Sequence, residues 1–213
     1  LGLSRHPRLR KAAKNALRKH GVGSGASRLM SGDLELHHEL ERETARLKGT
    51  EAALAFNSGY QANVGLLPAL ADRHDAIFAD KLSHASLVDG ALLSRAKLFR
   101  FRHNDPDHLE ELLKKNRTDA RDALIVTESV FSMDGDLAPL HQLVELKGKY
   151  DCALVVDEAH ATGVFGPGGA GRVEAQGLAD RTDIVMGTYS KALGGFGAYV
   201  AASETAVDYL VNA

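Results

Sequence analysis

Cysteine is nearly absent: Cys152 stands alone among 213 residues. No disulfide can close within the chain, and a zinc site built on several cysteines is excluded. This suits a reducing, cytoplasmic compartment. Long apolar runs are missing too. Stretches such as Ala153-Leu154-Val155-Val156 fall far short of the roughly 20 residues that a spanning helix needs, so no membrane partner is expected. Basic charge is not in excess. Lys and Arg number 26 against 28 Asp and Glu, a formal net charge of −2. A chain so balanced lacks the footprint of a nucleic-acid binder. The N-terminus has neither a Met nor a basic-then-apolar leader pattern. The expectation is a piece that begins and ends inside a longer protein.

What remains is ordinary globular composition, 44% hydrophobic and 25% charged. Residues 7–20 read as a helix, with Pro7 near its start and Gly21 as its stop. A glycine-rich loop follows to Arg28. Asp33 is expected to cap a second helix that runs to about Lys48 and stops at Gly49. From there the pattern alternates. Short apolar runs lie at 51–56, 76–79, 97–101, 123–128, 152–157, 183–187 and 197–202. Amphipathic segments near 60–71, 84–94, 106–115 and 138–149 separate most of them, and 204–213 begins another helix. Such alternation predicts an α/β domain with a mainly parallel central sheet flanked by helices. The division expected is an N-terminal arm with its helices over 1–48 and a large domain over 49–213.

Ligands of parallel sheets bind at the carboxyl ends of the strands, and polar residues collect there. Asp157 ends one apolar run and Glu128 another. Asp157-Glu158-Ala159-His160 puts a histidine three residues past the carboxylate. The run starting at Asp183 leads into Thr188-Tyr189-Ser190-Lys191 and two glycines, with Lys191 34 positions after Asp157 (191 − 157). Asn57-Ser58-Gly59-Tyr60 precedes a helix start, and Ser83-His84-Ala85-Ser86 another. These are the parts a pyridoxal-5′-phosphate (PLP) site requires. A lysine amine must hold the cofactor aldehyde as an imine. A buried carboxylate must keep the pyridine nitrogen protonated, because the protonated ring is the stronger electron sink. Backbone N–H groups at a helix start and nearby hydroxyls must take the phosphate. Gly59 and Tyr60 can supply the first, Thr188 and Ser190 the second.

With these segments, the loop Gly23-Ser24-Gly25-Ala26-Ser27-Arg28 and the run from Phe131 to Leu140, the chain resembles the α-oxoamine synthases of PLP fold type I. The resemblance implies the large domain of that fold, with the C-terminal small domain of the family absent. It implies Lys191 as the Schiff-base lysine and Asp157 as the partner of the ring nitrogen. It places His84 on the ring face, His160 on the phenolic oxygen, and Ser132 beside the cofactor with Glu128 nearby. Gly59 and Tyr60 then contact the phosphate through their backbone and Thr188 through its hydroxyl. Family members often carry Phe where this chain has Tyr60. The resemblance further implies a homodimer with sites at the subunit interface. The substrates would be an amino acid and an acyl-CoA or acyl-carrier-protein thioester, joined with loss of CO2. The 131–140 run leans toward the branch that uses L-alanine and a pimeloyl thioester in biotin biosynthesis, with glycine plus acetyl-CoA, or another α-oxoamine synthase activity such as a serine palmitoyltransferase-like one, as the alternatives.

Other readings are weaker. Asp157-Glu158-Ala159-His160 also spells a helicase Walker B box, but the phosphate loop which that reading requires is missing. Gly21-x-Gly23-x-x-Ala26 and Gly166-x-Gly168-x-x-Gly171 fit a loose dinucleotide fingerprint without its strand–turn–helix context. His37 and His38 are adjacent on a helix and point apart, so they do not make a metal site. Asp134 and Asp136 are expected to shape a turn, and Cys152 to be a buried strand residue. A binding or assembly partner with no activity of its own stays open as a reading from another class.

Overall fold

The computed structural model describes all 213 residues. Two helices come first, α1 (Pro7–His20) and α2 (Glu35–Lys48). Then β1 (Ala52–Phe56), α3 (Gly59–Leu70), β2 (Ala76–Asp80), α4 (Ala85–Ser94), β3 (Lys97–Phe101) and α5 (Pro106–Asn116) follow in alternation. The chain continues through β4 (Ala123–Glu128), α6 (Leu140–Tyr150), β5 (Ala153–Asp157), the single turn α7 (Arg172–Ala175), β6 (Ile184–Thr188), β7 (Ala198–Ala202) and α8 (Glu204–Asn212). Every apolar run anticipated as a strand is one. The strands form one seven-stranded sheet in the order β1-β7-β6-β5-β4-β2-β3. All pairings are parallel except those of β7, which runs antiparallel to both β1 and β6.

Helices cover both faces, and the strand residues sort between them with a period of two, as pleating requires. Ile77, Ala79, Leu124, Val126 and Val155 face one way and pack with Leu66, Leu67 and Leu87 of α3 and α4. Phe78, Ile125, Leu154 and Val156 face the other, against Leu109 and Leu113 of α5 and Leu140 and Leu143 of α6. Cutting a fully buried Leu66 to Ala would cost about 2–5 kcal/mol.

The first 48 residues divide in behaviour. α1 buries no residue, whereas α2 buries Glu41, Thr44, Ala45 and Lys48. Asp33 does not cap α2 as expected. Leu34 holds the N-cap position, and the Nδ1 of His37 accepts from the Leu34 amide at 3.2 Å. The Asp33 carboxylate instead meets Arg28 Nε at 2.7 Å and His38 Nε2 at 2.8 Å. Charge-assisted partners outcompete a neutral amide for a carboxylate.

Candidate active site

Parallel register sets the chemistry side by side. Glu128 at the end of β4 pairs with Asp157 at the end of β5, which pairs in turn with Met186 in β6. Thr188 ends β6, and Ser190 and Lys191 follow it. From the opposite side α3 presents its first turn and α4 its cap. The result is a cavity of about 200 Å3 at the carboxyl ends of the strands. It is lined by Gly59, Tyr60, His84, Glu128, Asp157, His160, Thr188, Ser190 and Lys191, nine of the ten anticipated residues.

Ser132 is the exception. It lies exposed in the turn after β4 and does not line the cavity. The glycine-rich loop is also outside it, with Arg28 clamped to Asp33 and to Glu41 of α2.

Asp157 is 5% exposed. Its Oδ1 accepts from the Ala159 amide at 2.8 Å and its Oδ2 from Asn63 Nδ2 at 3.0 Å. No cation reaches ion-pair distance, and burial holds its carboxyl above the usual range. Glu128 is pushed up to about 7, by burial first and by Asp157 second. It accepts from the His84 amide at 2.6 Å, which fixes the start of α4. His84 is the cap of that helix: its Nδ1 takes the Ser86 amide at 3.2 Å and lies 2.8 Å from Ser86 Oγ.

Lys191 Nζ lies 2.8 Å from His160 Nε2. Burial holds the amine below the ordinary lysine value, while Asp157 and Glu128 pull the other way through space. His160 is lowered likewise, by burial and then by Lys191. An amine with depressed basicity, open to the cavity and beside a neutral imidazole, can act as a nucleophile and as a proton carrier.

The far end suits an anion. Ser58 caps α3 by accepting the Gln61 amide at 3.2 Å, and no bond within the chain takes the amides of Gly59 and Tyr60. Thr188 Oγ1 and Ser190 Oγ stand 2.8 Å apart nearby. The Tyr60 hydroxyl turns away to Asp89 at 2.8 Å, so only its backbone is free for the cavity.

Sequence reasoning missed Asn63 and Ser86. Asn63 is buried, four residues along α3 from Gly59, and its amide bridges Asp157 and Ser86 Oγ. Its signal was a lone amide between Ala62 and Leu66 on an otherwise apolar helix face. Ser86 sits inside a motif already singled out, read for its histidine alone.

The family model described as aminotransferase class I and II matches residues 1–213. The chain belongs to that family. It is 58% identical over 212 residues to the 8-amino-7-oxononanoate synthase of Geotalea daltonii, covering 100% of this chain and 54% of that protein. The chain thus spans about half the length of the curated relatives it matches. A high-resolution structure of serine palmitoyltransferase with PLP as internal aldimine superposes with a TM-score of 0.95 at 38% identity. That match takes in 100% of this chain and 53% of the other. The 8-amino-7-oxononanoate synthase of Francisella tularensis gives a TM-score of 0.82 at 34% identity, over 99% of this chain and 58% of its own. The family is therefore settled, and with it the expected α/β fold.

Proposed function

We propose that this chain is the cofactor-binding part of a PLP-dependent 8-amino-7-oxononanoate synthase, which joins L-alanine to a pimeloyl thioester with loss of CO2. The observation that carries the reading is the Asp157–Lys191 cavity on a chain 58% identical, end to end, to proteins of that name. The site fits the cofactor. Asp157 is a buried carboxylate with no cation, the partner that a protonated pyridine nitrogen demands. The free amides at the start of α3, with the Ser190 hydroxyl, match a phosphate; Thr188 gives its own proton to the Gly197 carbonyl at 2.7 Å and would have to release it to join them. Lys191 is the one lysine lining the cavity, placed to bond the aldehyde.

When bound, PLP supplies a carbonyl that condenses with amines and a ring that accepts the electron pair released at an amino acid's α-carbon. The chain's own residues supply the rest. Asp157, held on both oxygens, keeps the proton on the ring nitrogen. Lys191 takes and returns the α-proton, and His160 beside it accepts a hydrogen bond while uncharged. His84 offers a flat face, anchored at its backbone by Glu128. As a homodimer, the enzyme would complete its sites across the interface.

One observation favours a second reading. The solved serine palmitoyltransferase superposes better than the Francisella enzyme, with TM-scores of 0.95 and 0.82. Sequence weighs the other way, 58% against 38%. Thiol release by the full-length protein decides between them. We expect PLP-dependent release with L-alanine plus pimeloyl-CoA or the pimeloyl carrier protein, well above serine plus palmitoyl-CoA or glycine plus acetyl-CoA. Preference for either of the latter pairs would keep the site and move the substrate.

A further inference from the structure

Beside the cavity lies a polar cluster that the reaction does not use. Asp80, at the carboxyl end of β2, is fully buried. Its Oδ1 accepts from the Leu82 amide at 2.8 Å and meets His103 Nδ1 at 2.8 Å, and its Oδ2 accepts from the Asn104 amide at 2.9 Å. His103 reaches on with Nε2 to Asp136 Oδ2 at 2.6 Å, and Asn104 Nδ2 reaches the same oxygen at 2.7 Å. The His103 ring stands edge-on to Phe131, centroids 4.4 Å apart. Asn104 takes a left-handed backbone, φ 51°, to hold this arrangement.

Both ring nitrogens of His103 face carboxylates. A neutral imidazole has one donor and one lone pair, and would turn that lone pair on a carboxylate. Only the doubly protonated ring donates to both carboxylates. No other cation is paired with Asp80 or Asp136. On the histidine's own segment, Arg102 and Asp105 pair with each other at 2.7 Å, and Asn104 Nδ2 lies 3.3 Å from His103 Nε2 while donating to Asp136 Oδ2.

The two carboxylates belong to two segments that flank site residues in the chain: Asp80 precedes His84, and Asp136 lies in the turn that follows Glu128. Asp80 holds the stretch leading to His84, also through the Ser83 amide to its backbone oxygen at 3.1 Å. Asp136 closes the turn that carries Ser132, its backbone oxygen accepting from Phe131 at 3.0 Å. Arg172 secures only the base of that turn, at the Ser129 and Ala138 carbonyls.

We propose that His103 is a positioning residue: as an imidazolium it straps the turn carrying Ser132 to the strand end that leads to His84, and so holds His84 in place in the site. Burial opposes the charge on this ring, but its bonds to Asp80 and Asp136 outweigh that and raise it above the ordinary histidine value. The strap's contribution is therefore complete below about pH 6.5 and is lost as pH rises through the raised value. The catalytic consequence rests on the function proposed above; the strap itself does not.

The test uses the full-length protein. Neutron diffraction at pH 7 should show deuterium on both His103 nitrogens; deuterium on one alone would overturn the proposal. Chymotrypsin cleavage at Phe131, Met133 or Leu137, normalised to a reference peptide, should accelerate in the wild type as pH rises through the titration. His103→Gln should be cut about tenfold faster at pH 6.5 and show no inflection. Asp136→Asn, which can donate to a neutral ring, should move the inflection to lower pH. Cleavage of His103→Gln at the wild-type rate would overturn the strap. Under the proposed reaction, His103→Gln should raise KM several-fold more than it lowers kcat. If no α-oxoamine synthase substrate pair turns over, the reaction assignment fails while the diffraction and cleavage results still decide the strap.

Discussion

Two lysines in this chain are both pushed toward neutrality by burial, and they end differently. Lys48, on α2, is 2% exposed at its side chain and sits 2.6 Å from Glu158 Oε2, which is fully buried. Thr162 Oγ1 at 3.3 Å and the Ala170 carbonyl take its other protons. Lys191 feels carboxylates as well, but Asp157 and Glu128 act on it through space and neither comes within ion-pair distance. Their neighbours differ in the same way. Asp157 and Glu158 are consecutive, yet Glu158 accepts from Lys48 and from the Arg172 and Val173 amides, while Asp157 has only neutral donors. A lysine becomes chemically useful when burial lowers its basicity and no carboxylate in contact restores it.

The sharpest way to break this comparison is covalent. Borohydride reduction of the full-length protein with PLP should attach the cofactor at Lys191 and leave Lys48 unmodified in the peptide map. Label on Lys48 would refute the distinction. Lys191→Ala should lose the label and on the order of 10⁴-fold or more of turnover. Asp157→Asn comes next. It keeps an oxygen for the Ala159 amide and removes the charge, and the Asn63 amide must turn its own oxygen to the new NH2, so cofactor should still bind while turnover drops about 10²–10³-fold. Unchanged turnover would remove Asp157 from its role.

Lys48→Met attacks the other side of the comparison. It strands Glu158 in the interior and should cost about 3–5 kcal/mol in denaturant unfolding. Lys191→Met, at an open site, should stay within about 0.5 kcal/mol of wild type. Equal losses would mean that both lysines are structural. Replacing Gly171 should report on the same nest: its backbone φ is +120°, and a side chain there would meet the Glu158 carboxylate.

Much of this was legible beforehand, for physical reasons. Seven apolar runs separated by amphipathic segments fixed the strands to within a residue or so, because burial on both faces leaves a continuous apolar signal. Glu128, Asp157 and Lys191 stood out as polar groups at the ends of such runs. The direction of β7 was not legible, since an apolar run carries no arrow. Nor was the Lys48–Glu158 pair, 110 positions apart. Lys48 just before Gly49 reads as a cation that complements a helix end, and only the packing of α2 against the sheet carries it inside. Asp33 misled because a cap needs its carboxylate free, and Arg28 and His38 claim it. Ser132 was expected beside the cofactor on resemblance alone, which says nothing about how far a turn leans out.

Glu128 gives a smaller effect with a definite sign. Its carboxyl titrates near 7 in the fold and near 4.3 unfolded. Between those values the folded state holds a proton that the unfolded state does not. Stability must therefore fall as pH rises from about 4.5 to 7 and level off above, for a total on the order of 3 kcal/mol. Glu128→Gln keeps an acceptor for the His84 amide and removes the titration. In the cofactor-free protein it should be the more stable form at pH 8 and match wild type near pH 4.5. A gap between the two melting curves that does not change with pH would mean that Glu128 does not titrate in this range.

The smallest expected effect tests how the anion end works. Tyr60 sits at the second position of α3, half exposed, with its hydroxyl on Asp89 rather than in the cavity. If the phosphate is taken by the Gly59 and Tyr60 amides, the side chain is a bystander. Tyr60→Phe should then change stability by no more than about 0.5 kcal/mol, since it deletes one exposed hydrogen bond. PLP affinity, read by equilibrium dialysis, should stay the same within error. Ser58→Ala makes the contrast. It removes the cap that pins the first turn of α3, costs about 1 kcal/mol, and should weaken PLP binding because the amides lose their fixed direction. A Tyr60→Phe variant that binds PLP several-fold more weakly, beside a Ser58→Ala variant that does not, would move the anion contact from the backbone to the phenol.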